Sequence, residues 1–465
     1  MAGELTVGID IGTTSVKAVA ADGDGTVLAR ARVPHDLVVT APDRLEHRPD
    51  QAWRDGVRHA LGQVATALGE RQASVAAVDV AAMVPSLCAV DASGAAITAG
   101  LLYGDGRAGP PGGGDPGQSG ELVGFLRWCA GQAPDAGGFW PAQAMANHAL
   151  GGEAVIDTVT AMTAVPLFDY ERWDPAVAQR AGSSVDRLPR VVPGDQPAGR
   201  IAAGLPLGGA LLGGGTVDAF AEQIVAGADG DHDALVICGT TLITWAVSPE
   251  WREVDGLWTV PHSAPGKVLI GGASNAGGLF LDRVRHLTGA GTTAGNRRTG
   301  APTTAGAQVS PERVPVWVPY IRGERTPVHD PDLRAGLHDV DLTHGPEAVL
   351  RAAYEAAGFV VRHHLDLAGV RPGRIVATGG GTQAAAWVQA LADCTGLPVD
   401  VVTVPEGAAL GAAFMARVVA GLESSAGEAR RWARTSRRVE PDPAWVGPAA
   451  HRYLRFRALA QSRAI

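Results

Sequence analysis

Cysteine is scarce. Four residues in 465, Cys88, Cys129, Cys238 and Cys394, stand far apart with no Cys-x-x-Cys pair among them. That spacing excludes a disulfide framework and a cysteine zinc site, and it points to a reducing compartment. No uninterrupted apolar run reaches the roughly 20 residues of a membrane span. A basic segment followed by an apolar core and a cleavage site is also lacking at the N-terminus, where the first predicted strand begins within a few residues of Met1. A cytoplasmic protein without a membrane partner is the expectation. Positive charge is not in excess either: the formal net charge is −9 and the pI about 5.8, which argues against a general nucleic-acid binder. The arginines between Arg430 and Arg438 read as a solvated helix face. What the chain does have is length enough for two domains with full cores, and 46% hydrophobic against 19% charged residues, the composition of a globular protein.

Two stretches repeat one scheme. Val7-Gly8-Ile9-Asp10-Ile11 and Val16-Lys17-Ala18-Val19-Ala20 are apolar runs around Gly12-Thr13-Thr14-Ser15, the pattern of a hairpin with a small, hydroxyl-rich turn. Backbone N–H groups at Gly12 and the hydroxyls of Thr13 and Thr14 can cradle phosphate oxygens there, and Asp10 at the strand end can hold a hydrated Mg²⁺. An ordinary N-terminal hairpin has the same look. About halfway down the chain, residues 234–238 and 242–247 flank Gly239-Thr240-Thr241 in the same way. A second copy predicts a duplicated fold of two related lobes that face each other as a nucleotide clamp.

Other segments fit around these hairpins. Asp50 is placed to cap a helix running to about Leu68, and 75–81 reads as a buried strand. In Gly213-Gly214-Gly215-Thr216-Val217-Asp218, a small-residue run delivers a carboxylate to the start of a helix reaching toward Ala226. Asp218 can accept the proton of an attacking hydroxyl, as phosphoryl transfer requires, or serve only as an N-cap. Residues 108–120 and 289–311 read as loose loops. A helix after Gly277-Gly278 runs to about Leu287, and another from Gly345-Pro346-Glu347 to about Leu367. His363 and His364 are adjacent, not at ligand spacing, and read as ordinary surface or core histidines. Gly379-Gly380-Gly381-Thr382 follows a strand and leads into a helix, which by itself is a weak signal.

Taken together, these motifs resemble the actin/sugar kinase/Hsp70 ATPase fold, and further residues narrow the resemblance to the FGGY carbohydrate kinases, nearest in pattern to xylulokinases. Pro319-Tyr320-Ile321-Arg322-Gly323-Glu324-Arg325-Thr326-Pro327 is close to the family's P-Y-x-x-G-E-R-x-P, and is the most specific local match. Glu324 and Arg325 can pair there to lock the turn. The family's E-x-D-P-x-x-W is kept in its acid and in Trp53. Where xylulokinases carry Gln-Met-His-Gly against the sugar, this chain reads Met83-Val84-Pro85-Ser86, so Pro85 replaces the histidine. Leu102-Tyr103-Gly104-Asp105-Gly106-Arg107 resembles the W-x-D-x-R strand end, and a carboxylate at Asp105 oriented by Arg107 can read two sugar hydroxyls. The same residues also suit a surface-turn ion pair. The resemblance further places the catalytic base nine residues before a glycine, as Asp218 stands before Gly227, and lays Gly277 and the Gly379–Gly381 turn along the nucleotide cleft.

The reading is an α/β protein of two ribonuclease-H-like (actin-like ATPase) domains around a central cleft: 1–227, 228–440 and a helical C-terminal extension at 441–465. The resemblance implies an ATP-dependent sugar kinase with Mg²⁺, acting on a ketopentose such as xylulose, as a homodimer. ATP would be held by Asp10, Gly12, Thr13, Thr14, Lys17, Gly239, Thr240, Thr241, Gly277, Gly379, Gly380, Gly381 and Thr382, with Mg²⁺ bound through water at Asp10. The sugar would meet Met83, Val84, Pro85, Tyr103, Asp105, Arg107 and Asp218. Pro85 keeps open a polyol, sugar acid or modified sugar as acceptor, and a non-catalytic sensor is the reading from outside enzymology.

Overall fold

In the computed structural model, Leu5–Ile11, Ser15–Ala21 and Val27–Pro34 form an antiparallel meander, and Val75–Ala82 and then Leu211–Leu212 continue the sheet parallel to Leu5–Ile11. The structure describes residues 4–41, 43–108, 121–264, 266–289, 309–404 and 406–461. A second sheet repeats the order. Asp233–Cys238, Leu242–Ser248 and Val268–Ser274 form its meander, and Arg374–Thr378 and Val399–Val402 run parallel to Asp233–Cys238. Five strands in the same order and sense, twice over, are the duplication that the paired hairpins predict. Leu5–Ile11 and Asp233–Cys238 are buried at every position, because both faces of a central strand are covered; this is why they read as continuous apolar runs. Val27–Pro34, at the edge, alternates buried and exposed residues instead.

Each sheet belongs to its own unit. The first comprises the chain up to Gly227 together with Glu406–Ala433, and the second comprises Ala228–Pro405 and the chain from Arg434 onward. The expected unbroken domain over 228–440 is corrected on this point. The helix Gly407–Val419 packs backbone to backbone on the first sheet and on the Asp218–Ala226 helix: a Cβ at Gly8 would run into the Ala409 carbonyl, and one at Gly411 into the carbonyl of Ala221. Only small residues permit that approach, which accounts for the composition of the helix. The extension at 441–465 forms the helix Pro443–Gln461, with Ala449, Tyr453 and Phe456 in the core of the second unit.

Several local expectations are also corrected. Asp50 does not cap the Gly56–Leu68 helix; it opens a π-helical turn, Asp50–Asp55, and its carboxylate pairs with Arg54 at 2.8 Å. The arginine run is not one helix face, since Thr435–Val439 is a strand antiparallel to Val399–Val402, with Arg438 2.7 Å from Asp400. His363 and His364 are both buried. The loops expected at 108–120 and 289–311 lie almost wholly outside the described residues. All four cysteines are buried and free. Among the described residues, no helix is long and apolar enough to cross a membrane.

Candidate active site

The first hairpin is closed by Gly12, whose N–H donates to the Ser15 carbonyl at 3.1 Å. Strand register sets Asp10 opposite Lys17, and Lys17 Nζ lies 2.9 Å from Asp10 Oδ2. The Asp10 charge holds the Lys17 ammonium above its ordinary range against the opposing effect of burial. Thr13 is buried and Thr14 exposed. The Thr13 hydroxyl is 2.8 Å from the Tyr103 hydroxyl, and its carbonyl is 2.8 Å from His47 Nε2. Trp53 Nε1 donates to His47 Nδ1 at 2.9 Å. Burial, with His35 nearby, pushes His47 down to about 4, so the neutral ring donates from Nε2 to Thr13 and accepts at Nδ1. His47 was not among the predicted site residues; the signal that could have found it is Trp53, which the sequence motif does contain.

Three strands deliver the remaining first-unit candidates to one level. Ile11 pairs with Ala82, and Ala82 pairs with Val217, all in parallel. Gly12, Met83 and Asp218 are the next residues on each strand, so they leave the sheet side by side at its carboxyl end, where ligands of parallel sheets bind. Asp218 is the first residue of the Asp218–Ala226 helix, after the cap at Val217, and its Oδ1 accepts from the Ala219 N–H at 2.7 Å. Met83 is buried, whereas Val84 and Pro85 are half-buried. Val84 and Pro85 line a small apolar cavity with Leu122, Phe139, Thr160 and Trp173.

Asp105 stands apart from these. Its Oδ1 accepts from the backbone N–H and Nε of Arg107 at 2.9 and 2.8 Å, and its Oδ2 from Arg107 Nη2 and the Leu45 N–H at 2.7 and 2.8 Å. Arg107 also binds Glu46 at 2.7 Å. Both Asp105 oxygens are saturated and the side chain is fully enclosed. The Asp105 carboxylate, expected to read sugar hydroxyls, is thus engaged with Arg107 in a brace that ties Leu45–Glu46 to the strand end carrying Tyr103.

The second unit gathers its own set. Ile237 pairs with Thr378, so the Gly239–Thr241 turn and Gly379 leave adjacent parallel strands together. The Gly278 and Leu279 N–H groups donate to the Gly239 and Thr240 carbonyls at 2.9 and 3.1 Å, which seats the Gly278–Leu287 helix on that turn. A Cβ at Gly379 or Gly381 would crowd the Cys238 carbonyl, whereas one at Gly380 would meet nothing. The bare Gly380 backbone is thus open to a ligand. Thr382 Oγ1 donates to the Gly379 carbonyl at 2.7 Å, which fixes the turn. Glu324 is buried and accepts from Ser274 Oγ at 2.6 Å, the Asn275 N–H at 3.0 Å and the Arg325 N–H at 2.7 Å. The expected lock at this turn is made by those hydrogen bonds, which include the Arg325 backbone N–H and reach across to Ser274–Asn275.

Models of the FGGY family of carbohydrate kinases match this chain twice, the N-terminal domain over residues 5–110 and the C-terminal domain over residues 234–420. The xylulose kinase of Streptomyces coelicolor is 30% identical over 470 residues, 92% of this chain and 91% of that protein. That of Escherichia coli K12 is 26% identical over 465 residues, 90% of this chain and 91% of that protein. The crystal structure of xylulose kinase from Rhodospirillum rubrum superposes with a TM-score of 0.75 at 25% identity, covering 98% of each chain.

Proposed function

Because the chain belongs to the FGGY family of carbohydrate kinases, ATP-dependent phosphotransferases acting on small sugars, we propose that its acceptor is a ketopentose such as xylulose and that Asp218 is the base. The observation that carries this reading is the common level at which Gly12, Met83 and Asp218 leave three paired strands. A phosphate-contacting turn, an acceptor wall and a carboxylate then lie next to one another. Asp218 would take the proton of the attacking hydroxyl as its oxygen bonds to the γ-phosphorus and the bond from that phosphorus to the bridging oxygen breaks, with ADP as the leaving group. Lys17 and the backbone N–H groups of Thr13 and Thr14 face the phosphate charge, with Thr14 as the exposed hydroxyl of the turn; the Gly12 N–H, expected to join them, is spent on the Ser15 carbonyl. In the second unit, Gly239, Thr240, Thr241, Gly277, Gly379–Gly381 and Thr382 contact the nucleotide, and the bare backbone at Gly380 suits that role.

Asp10 would hold Mg²⁺ through water. It offers one carboxylate, which fits an ion that keeps its waters and shares phosphate oxygens better than one held in an all-protein cage. When bound, the ion supplies neutralisation of phosphate charge. The proposed setting is the cytoplasm.

A second reading is favoured by Pro85. The half-buried Val84–Pro85 wall presents carbon to an apolar cavity, which suits a polyol, sugar acid or modified sugar lacking a hydroxyl at that position. ADP release by the purified protein over ketoses, aldoses, polyols and sugar acids, run beside Asp218→Ala, separates the two. Turnover greatest with xylulose, falling by ~10²–10⁴ in the variant, is expected. Preference for another acceptor class selects the second reading, and turnover that survives in Asp218→Ala removes that residue as the base.

A further inference from the structure

Two buried carboxyl groups, Asp79 and Asp157, have no part in the chemistry above. Each is 2% exposed, and among the described residues neither pairs with a lysine, arginine or histidine. Both residues hold Gly215, three positions before Asp218, Asp79 through its carboxyl and Asp157 through its backbone N–H, while the Asp157 Oδ1 accepts from the Thr160 N–H at 2.6 Å. Asp79 Oδ1 accepts the Gly215 N–H at 3.0 Å and the Val80 N–H at 2.9 Å. The Gly215 carbonyl accepts the Asp157 N–H at 3.1 Å and the Thr160 hydroxyl at 3.2 Å. Gly215 has φ +81°, a conformation that favours glycine, and a Cβ at Gly213 would strike Asp79 Oδ1. The flanking peptides are held as well: Asn147 Nδ2 donates to the Gly214 carbonyl at 2.7 Å, and Gln143 Nε2 to the Thr216 carbonyl at 3.2 Å. The segment from Gly213 to Thr216 is therefore fixed by buried side chains, and it ends on the strand pair that sets Asp218 at the sheet edge.

We propose that Asp79 is a positioning residue for Asp218, acting as a neutral acid that anchors Gly215 beside the Asp157 carboxyl. This rests on the reading of Asp218 as the base. Two neighbouring carboxyls, buried without a cation, cannot both carry charge at low cost. Burial, reinforced by Asp157, pushes Asp79 up to about 8, and burial pushes Asp157 up to about 6. Asp157 is the ionisable group that acts on Asp79. At neutral pH Asp79 keeps its proton, and the Gly215 anchor carries no net charge.

The test compares Asp79→Asn, Asp79→Ala and Asp218→Asn in the full chain, with kcat, KM for both substrates and pH profiles on the best acceptor. Asparagine reproduces a neutral acid, so Asp79→Asn keeps kcat within about threefold. Asp79→Ala frees the Gly215 N–H and lowers kcat by roughly 10- to 100-fold with KM for ATP nearly unchanged, the effect of a misplaced catalytic group. When Asp79 ionises, with a pKa of about 8, its charge is set against the Asp157 carboxylate and the repulsion strains the Gly215 anchor, so the wild-type kcat falls on the alkaline side and Asp79→Asn lacks that fall. Full activity in Asp79→Ala overturns the proposal, as does a loss in Asp79→Asn equal to that in Asp79→Ala. If the alanine variant does not fold, an unchanged alkaline fall in Asp79→Asn overturns it. Turnover retained in Asp218→Asn shows instead that the underlying reading of the base is wrong.

Discussion

Lys17 and Asp10 face each other across the first hairpin, Nζ to Oδ2 at 2.9 Å. The chain has only two lysines, Lys17 and Lys267, and takes the rest of its basic charge from arginine. A compact ammonium on a flexible stem can leave a carboxylate for a phosphate oxygen, whereas a guanidinium presents a planar fork. Lys17→Met is expected to lower kcat/KM for ATP by roughly 10- to 100-fold, the loss of one charge-assisted phosphate contact. Lys17→Arg is expected not to restore it. Steady-state kinetics with ATP varied read both. Because Asp10 raises the Lys17 pKa, no loss of rate from Lys17 deprotonation should appear below about pH 10 in the wild type.

The Pro85 position tests what the acceptor wall reads. Pro85→His restores a ring that can hydrogen-bond at that wall. The variant is expected to shift the ratio of kcat/KM between xylulose and its deoxy analogues toward xylulose by about 10-fold or more. An unchanged ratio would mean that this wall does not touch the acceptor.

Asp105 is expected to matter for stability and not for chemistry. Asp105→Ala removes the bidentate partner of the Arg107 guanidinium, 9% exposed, leaves it Glu46 alone and frees the Leu45 N–H, a loss of roughly 1–3 kcal/mol. Urea unfolding should show that loss, while kcat per folded molecule stays near wild type. A fall in kcat/KM for the sugar at unchanged stability would return Asp105 to the acceptor site.

Glu324 gives the second unit a pH dependence. Burial raises its pKa to about 7, against the tempering effect of Ser274, Asn275 and Arg325. For an acid raised above its unfolded value of 4.5, stability is fully present below about pH 4.5 and is lost as pH rises through 7. A shift of this size corresponds to about 3 kcal/mol between the two limits. Glu324→Gln should flatten the fall of the thermal midpoint between pH 5 and pH 8, and an unchanged slope would assign it to other groups.

The sequence revealed most where a local pattern and its physical cause coincide. Both hairpins, the strand before Met83 and the helix after Val217 follow from apolar runs and small-residue turns, and they stand where those runs predict. Partnerships across the fold were harder to read. Asp105 looks like a ligand because it sits at a strand end; only the structure shows Leu45 and Arg107 filling its acceptor sites. His47 precedes Trp53 by six residues, too far for a helical or strand period to link them, yet the Asp50–Asp55 turn brings the two rings into hydrogen-bonding distance. Asp79 lies in an otherwise apolar strand, and its meaning depends on Gly215, 136 residues away.

The return of Glu406–Ala433 to the first unit has a consequence for synthesis. Gly8 leaves the ribosome about 400 residues before the helix that covers it is complete at Val419, and the segment ends only at Ala433. The first sheet must therefore wait, one face uncovered, while the second unit's strands up to Val402 are made. Domain-by-domain folding in order of synthesis is closed to this chain. A fragment ending before Glu406 should show exposed apolar surface and aggregate, and adding residues 406–433 as a separate peptide should restore its solubility.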